Sequence, residues 1–171
     1  MRILLTGRSG LGKTTVCSRL VEIARERGLT CYGVLTHQSR RGKETVTLIV
    51  EDLSTGERRV LAKKRGRTDG EEGVISCSFI FDRGSIEFGK RALERDGDLL
   101  VIDEVGNLEI KGEGFTNAMD AFSSRANSIL AVRSELSEVI SERLKCSFRE
   151  VKIDEKNREG LPEVIFDMMF K

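Results

Sequence analysis

The sequence lacks the features that mark several classes of protein. No apolar run approaches the roughly 18 residues of a membrane-spanning helix, and the first run ends at Thr6 and Gly7. The four cysteines form no C-x-x-C pair, which excludes the usual spacing of zinc and dithiol sites. We therefore expect a cytoplasmic protein with reduced thiols that is neither secreted nor inserted into a membrane.

An excess of either charge is also missing from the whole chain. The 171 residues contain 29 Lys and Arg against 28 Asp and Glu, and 39% are hydrophobic, which is too many for a disordered chain. No repeat or low-complexity segment divides the sequence, so we expect a single domain over residues 1–171. The near-zero net charge is an average over unlike regions, because residues 40–67 contain nine basic residues and only four acidic ones.

Hydrophobic spacing predicts alternating strands and helices, which is typical of an α/β fold with a mainly parallel sheet. The first elements are a strand, a helix and a second strand, over residues 2–6, 14–27 and 31–36. A glycine-containing turn then separates residues 45–53 from residues 58–63, which predicts an appended antiparallel hairpin.

Residues 64–75 are rich in charge and glycine, which predicts a mobile connection. The strands expected after it cover residues 79–81, 99–103, 129–132 and 148–153. The expected helices cover residues 86–95, 115–125, 135–144 and 158–170.

The strongest motif lies between the first strand and the first helix and matches the phosphate loop G-x-x-x-x-G-K-[ST]. Its residues are Gly7, Arg8, Ser9, Gly10, Leu11, Gly12, Lys13 and Thr14. Three glycines permit backbone dihedrals that turn N–H groups toward a phosphate. Lys13 can reach the β- and γ-phosphates, Thr14 offers a hydroxyl to Mg²⁺, and Thr15 can donate to the α-phosphate. For Arg8 and Leu11, a solvent-facing loop position is the alternative to a nucleotide contact.

The second motif is a continuously apolar strand that ends in two acids. It consists of Leu99, Leu100, Val101, Ile102, Asp103 and Glu104. Ligands of open α/β sheets bind at the carboxyl edge, where Asp103 would hold the hydration shell of Mg²⁺ and Glu104 would polarise the attacking water. The alternative interpretation is that Asp103 and Glu104 are ordinary acidic residues at the start of a loop and have no role at a nucleotide. Gly106 is expected to permit a turn, either at the nucleotide or away from it.

The sequence as a whole resembles the cancer-related nucleoside-triphosphatase family. The resemblance is carried by four segments: GRSGLGKTT, GVLTHQSRRGKETVTLIVEDLSTGERRVL, LLVIDEVGNLEI and DEKNREGL. It implies slow hydrolysis of ATP, GTP and other nucleoside triphosphates to the diphosphate and phosphate, with little base discrimination. It also implies that residues 7–14 contact the nucleotide. A second expected contact segment covers residues 99–106 and extends past the two acids to Val105 and Gly106.

Several polar residues have open roles. His37 is the only histidine and is expected to lie in a loop rather than at the nucleotide. Arg133 would either sense the γ-phosphate or begin a solvated helix, which is the favoured interpretation. Asn157 and Arg158 would either approach the base or cap the last helix. The basic run over residues 63–67 contains no aromatic residue, which favours a solvated loop over a nucleic-acid contact.

The sequence therefore favours a magnesium-dependent nucleoside triphosphatase on a three-layer α/β/α phosphate-loop fold, with Lys13 and Glu104 as catalytic residues. Its expected ligands are a nucleoside triphosphate and Mg²⁺. The first alternative is a kinase that transfers the γ-phosphate to a nucleotide or small molecule, with residues 63–67 in a lid. The second is a nucleotide-dependent switch or nucleic-acid accessory module. The sequence leaves the oligomeric state open.

Overall fold

A computed structural model describes residues 1–66 and 72–171. Its strands are β1 (Arg2–Gly7), β2 (Cys31–Arg41), β3 (Glu44–Asp52), β4 (Arg58–Lys64), β5 (Val74–Ser76), β6 (Phe79–Phe81), β7 (Leu99–Val105), β8 (Ser128–Arg133) and β9 (Arg149–Lys152). Its helices are α1 (Lys13–Glu26), α2 (Arg83–Leu93), α3 (Asn107–Ile110), α4 (Ala118–Ser124), α5 (Ser137–Arg143) and α6 (Leu161–Phe170). A 3-10 turn at Ser134–Leu136 precedes α5.

All described strands form one sheet in the order β5-β6-β4-β3-β2-β7-β8-β1-β9. From β2 to β9 the neighbouring strands are parallel, as the alternating strands and helices predict. The register pairs Leu130 of β8 with Leu4 on one side and Ile102 on the other. The carboxyl ends of β1, β7 and β8 therefore meet at one edge of the sheet.

Helices cover both faces of the parallel strands, which confirms the three-layer α/β/α prediction. In β1, Ile3 and Leu5 belong to a buried cluster with side chains of α1 and α6. Leu4, which points to the other face, packs in a second cluster with side chains of α2, α4 and α5. Strands buried on both faces are continuously apolar, and this explains the sequence of β7. In the described ranges, no helix has the length and apolar character needed to cross a bilayer.

The antiparallel part of the sheet is larger than the predicted hairpin. The β3–β4 hairpin is present, but β2 continues past Thr36 to Arg41 and pairs with β3. The predicted strand over residues 31–36 was too short. The second half of β2 is polar and mostly exposed, and pairing with β3 stabilises it instead of burial. His37 consequently lies within a strand and not in a loop.

Two further strands complete the antiparallel part. Strand β6 pairs with β4, as the prediction for residues 79–81 requires, and β5 pairs with β6. The predicted connection over residues 64–75 is thus shorter than expected, because Lys64 ends β4 and Val74 begins β5. Its central residues 67–71, which include Arg67 of the basic run, lie outside the described residues.

Two predicted helices begin three residues later than expected. Helix α4 starts at Ala118 instead of residue 115, because Phe115 packs in the core from the preceding loop. Helix α6 starts at Leu161 instead of residue 158. The segment before α6 is fixed by Asn157, whose side chain donates to the Lys152 carbonyl and accepts from the Asp154 N–H, both at 2.9 Å.

Two aspartate–arginine pairs of equal length allow a test of how burial affects stability. The Asp52 side chain is 1% exposed and accepts from Arg95 and from the Ser54 N–H, each at 2.9 Å. The Asp96 side chain also lies 2.9 Å from Arg125 but is 85% exposed. We expect Asp52→Ala to lower the free energy of unfolding by about 2–3 kcal/mol, because the substitution removes a buried carboxylate together with its hydrogen bonds to Arg95 and Ser54. Asp96→Ala should cost less than about 1 kcal/mol. Chemical denaturation measures both losses, and equal losses would contradict the role of burial.

Candidate active site

The predicted phosphate loop connects β1 to α1. Gly10 and Gly12 have φ angles of +82° and +98°, in the left-handed region that strains any residue with a Cβ atom. Gly7 differs from the prediction, because its φ angle lies outside that region. A Cβ atom at Gly7 would lie 2.3 Å from Cγ2 of Ile153, so close packing and not backbone freedom requires glycine there.

The Lys13 side chain is turned back over the loop. The residue is 6% exposed, and its Nζ donates to the carbonyl oxygens of Gly7 at 2.9 Å and Arg8 at 3.2 Å. Both acceptors are neutral, so they orient the ammonium group without neutralising it. A buried positive charge at the start of α1, where the helix dipole is also positive, is suited to an anion.

Asp103 is fully buried at the carboxyl end of β7. Its Oδ2 accepts a hydrogen bond from the Thr36 N–H at 3.3 Å, whereas its Oδ1 has no hydrogen-bond partner in the described ranges. The Thr36 hydroxyl also donates to the Asp103 carbonyl at 2.6 Å. Thr36 thus fixes both the main chain and the side chain of Asp103. Sequence reasoning missed this contact, since Thr36 was interpreted only as the end of a strand.

The electrostatics of Asp103 follow from this position. Burial raises the pKa of its carboxyl group to about 7, against the opposing effect of the Thr14 hydroxyl. The adjacent Glu104 charge raises the pKa further, and Lys13 lowers it. An unpartnered carboxylate oxygen close to a hydroxyl is the type of hard oxygen donor that divalent cations bind. Asp103 and Thr14 therefore fit the divalent metal that phosphate-loop proteins generally use.

Glu104 lies in a β-bulge. Asp103 pairs with Ala131 and Val105 pairs with Val132, so Glu104 has no partner residue in β8. A bulge changes the direction of a side chain, and that of Glu104 is 22% exposed. Its Oε1 accepts from Nε of Arg133 at 2.6 Å, a hydrogen bond that raises the pKa of Arg133. Arg133, at the end of β8, thus binds Glu104, and it is also exposed and directly precedes the 3-10 turn before α5, in line with the favoured interpretation of a solvated helix start.

Most of these groups line one cleft, with a volume of about 380 Å³, which we call the phosphate cleft. Its lining consists of Ser9, Gly10, Gly12, Lys13, Thr14, Thr15, Thr36, His37, Gln38, Arg40 and Glu104. The extension of β2 therefore adjoins the phosphate loop and brings the positive charge of Arg40 to it.

Other predicted nucleotide contacts lie elsewhere. Leu99, Leu100, Val101, Ile102 and Val105 are fully buried in the core and do not line the phosphate cleft, since a strand covered on both faces reaches a ligand only at its end. Leu11 packs against the core cluster beneath α1 and is not in the cleft lining either. Gly7 and Arg8 contribute the carbonyl groups that hold Lys13.

The segment after β7 contains a buried glutamate that the sequence reasoning missed. Glu109 is 7% exposed, and its two carboxylate oxygens accept from the N–H groups of Gly106 at 2.8 Å and Phe115 at 2.9 Å. Burial raises its pKa, and these hydrogen bonds oppose that effect. Gly106, with a φ angle of −143°, precedes helix α3 in extended conformation instead of forming a glycine-specific turn. The available signal was the glutamate that follows Gly106 by three residues in the segment LLVIDEVGNLEI.

The remaining polar residues have structural partners. Nε2 of His37 lies 2.6 Å from Oε2 of Glu51, which also accepts from Arg58. Asn157 fixes the loop after β9 and does not cap α6, because the N-cap position of that helix is Gly160. Arg158 is exposed in the same loop.

Comparisons with known proteins agree with this geometry. The sequence model described as NTPase matches residues 2–166. A nucleoside-triphosphatase THEP1 of Methanosarcina barkeri is 33% identical, and the match covers 95% of this chain and 93% of that protein. A nucleoside-triphosphatase THEP1 of Archaeoglobus fulgidus is 28% identical, with 96% of each chain covered.

Two solved structures share the fold. THEP1 from the hyperthermophile Aquifex aeolicus superposes with a TM-score of 0.74 at 20% identity and covers all of both chains. A human cancer-related nucleoside triphosphatase gives a TM-score of 0.76 at 24% identity, over 99% of this chain and 97% of that one. These likenesses confirm the phosphate-loop fold, and the family model together with the Methanosarcina relative confirms the resemblance noted in the sequence. The chain belongs to the NTPase family of nucleoside triphosphatases.

Proposed function

We propose that this protein hydrolyses nucleoside 5'-triphosphates to the diphosphate and phosphate, with Mg²⁺ and with little discrimination between bases. One observation carries the proposal: the buried Lys13 ammonium group and the redirected Glu104 carboxylate line the phosphate cleft together. Directly behind this lining, Thr36 donates to the buried Asp103 carboxylate, whose Oδ1 has no hydrogen-bond partner in the described ranges. These groups match the charges of a metal-bound triphosphate and the need for a general base. The names of the relatives, nucleoside-triphosphatase, support the same activity.

The phosphate groups would be bound by the loop and by Lys13. Because Lys13 is already held by the Gly7 and Arg8 carbonyls, its ammonium group is positioned before a ligand arrives. The N–H groups of the loop and of the first turn of α1 would add fixed donors, and Thr15 would add its hydroxyl. Arg40, which also lines the phosphate cleft, increases its attraction for a polyanion.

Thr14 and Asp103 are the residues that would hold the magnesium ion. The orphaned Oδ1 of Asp103 fits this role, since a buried carboxylate oxygen without a donor is costly unless a cation compensates it. When bound, the ion neutralises charge that develops on the phosphate oxygens. Thr36 keeps the Asp103 carboxylate in place through its N–H group.

Glu104 would act as the general base. It would accept a proton from a water molecule as that water attacks the γ-phosphorus, and the diphosphate would leave with the bridging oxygen. Arg133 holds the Glu104 carboxylate at 2.6 Å and thereby restricts its direction. The same guanidinium would also stabilise the charge that develops in the transition state.

Weak base discrimination is consistent with the loop after β9. The Asn157 carbonyl oxygen and one amide N–H are both engaged with the backbone, so this side chain has little capacity left to recognise a base.

The four cysteines are free thiols, which supports a cytoplasmic location.

The central role of Glu104 predicts that binding and turnover can be separated. Glu104→Gln keeps the shape of the side chain but removes its basicity, so turnover should fall by about 10²-fold or more while nucleotide still binds. Phosphate release from ATP, GTP, CTP and UTP with Mg²⁺ measures turnover, and calorimetry measures binding. The matched control is Glu113→Gln, at an exposed position on a nearby loop, which should hydrolyse all four substrates at the wild-type rate. Near-normal turnover in the Glu104 variant would exclude it as the base.

Two glycines with similar backbone conformations test the phosphate loop. Gly12 has a φ angle of +98° in the loop, and Gly28 has a φ angle of +78° at the other end of α1. Alanine at either position should lower the free energy of unfolding by about 1–2 kcal/mol, since both angles strain a Cβ atom. Only Gly12→Ala should also weaken ATP binding, by about tenfold or more, because misaligned N–H donors lose charge-assisted hydrogen bonds. Equal ATP affinity in the two variants would show that the loop does not bind the phosphates.

A further inference from the structure

A second cleft, with a volume of about 360 Å³, lies beside the phosphate cleft, and we call it the acceptor cleft. The two clefts share lining residues, namely Ser9, Thr36, Gln38, Arg40 and Glu104. Both therefore open onto the carboxylate of Glu104. A molecule in the acceptor cleft would face the same base, and the same end of the triphosphate, as the water molecule that hydrolysis requires.

The walls of the acceptor cleft include a large apolar and aromatic surface. Phe79 and Phe81 alternate with Ile80 along β6, so both rings lie on the face that lines this cleft. Their centroids are 6.5 Å apart and their planes are inclined by 60°. Phe115 and Leu108, both buried, add apolar surface from the segment held by Glu109. Flat aromatic faces of this kind bind planar rings.

The polar groups of the acceptor cleft are mostly neutral. Ser76, Thr45 and Asn107 provide hydroxyl and amide groups at its surface. Glu109 also lines it, but both of its oxygens accept backbone N–H groups, and the Glu104 carboxylate is paired with Arg133. A cleft of this size and mixed polarity suits a small molecule with a planar ring and several hydroxyl groups, and a nucleoside has these properties.

We propose that the acceptor cleft binds a nucleoside-class alcohol and that the protein transfers the γ-phosphate to its hydroxyl group. The proposal rests on the phosphate and base assignments of the proposed function. The acceptor oxygen would form a bond to the γ-phosphorus while the bond from that phosphorus to the β,γ-bridging oxygen breaks. The bridging electron pair leaves with the nucleoside diphosphate, and the hydroxyl proton passes to Glu104. Hydrolysis is the same displacement with water in place of the alcohol.

The test measures where the γ-phosphate goes. ATP labelled in the γ-phosphate is incubated with Mg²⁺ and with adenosine, guanosine, cytidine, uridine or thymidine, and ADP, free phosphate and phosphorylated nucleoside are quantified. We expect at least one nucleoside to give a labelled monophosphate and an excess of ADP over free phosphate. The corresponding free base has no transferable hydroxyl and should bind without accepting phosphate. Equal amounts of ADP and free phosphate with all five nucleosides would overturn the proposal, as would nucleosides that only change the rate of hydrolysis.

Variants of the antiparallel strands localise the effect. Phe79→Ala should lower the ratio of transferred to released phosphate by about tenfold or more, because a stacking surface is lost. Ser78→Trp, at an exposed position of the cleft lining, should lower the same ratio by filling the cleft. The matched control is Ile75→Ala on β5, which is 50% exposed and outside the cleft lining, and its ratio should stay at the wild-type value. If all three variants transfer phosphate to the nucleoside at the wild-type ratio, the nucleoside does not bind in the acceptor cleft.

Failure of this proposal can be distinguished from failure of the proposed function. ADP formation without any nucleoside tests hydrolysis, whereas the labelled monophosphate tests transfer. Hydrolysis without transfer would leave only the proposed function standing. Transfer without basal hydrolysis would support the acceptor cleft and show that water is not the substrate of the protein.

Discussion

The buried carboxylate of Asp103 is the constraint on which the site depends. It stands at the end of a strand whose apolar residues are fully buried, and one of its oxygens has no hydrogen-bond partner in the described ranges. A charged carboxylate costs free energy in such surroundings, because burial removes its hydration, and burial therefore raises the pKa of Asp103. A bound cation would offset this cost. The residues of β7 that precede Asp103 are all apolar, since both faces of the strand are covered by helices.

Strand register determines what surrounds this carboxylate. Because β8 pairs with β1 on one side and β7 on the other, the phosphate loop and Asp103 reach the same edge of the sheet. The bulge at Glu104 then turns a second carboxylate toward Arg133. On the opposite side, the parallel pairing of β2 with β7 places Thr36 against Asp103. Beyond Thr36, the polar half of β2 completes the wall of the phosphate cleft.

The charge of the antiparallel strands has two distinct uses. Several basic side chains are neutralised locally, since Arg58 pairs with Glu51, Arg59 with Glu57 and Lys64 with Glu44. Arg40 instead lines both clefts, and its Nη2 donates to the neutral side chain of Gln38 at 3.1 Å. The net positive charge of this region is therefore partly structural and partly directed at the site of a polyanion.

Contiguous motifs made part of the site predictable. The phosphate loop and the Asp103–Glu104 pair are encoded in short segments, and the alternation of elements predicted the parallel sheet. Thr36 and Arg133 act through contacts with residues distant in sequence, which no local pattern specifies. Glu109 bonds to main-chain groups near it in sequence and carried a local signal that was missed. The length of β2 was underestimated for a related reason, because partner strands stabilise its exposed half. The acceptor cleft combines β3, β4, β6 and the segment after β7, so only the assembled fold reveals it.

The most direct test of this account is the effect of Mg²⁺ on the affinity for a non-hydrolysable ATP analogue, measured by calorimetry in the wild-type protein and in Asp103→Asn. Asparagine preserves the shape of the side chain and removes the charge that would compensate the metal. The account predicts that Mg²⁺ strengthens binding to the wild type by about tenfold or more and that this gain is largely lost in the variant. An equal gain in both proteins would show that Asp103 does not hold the metal and would contradict the account.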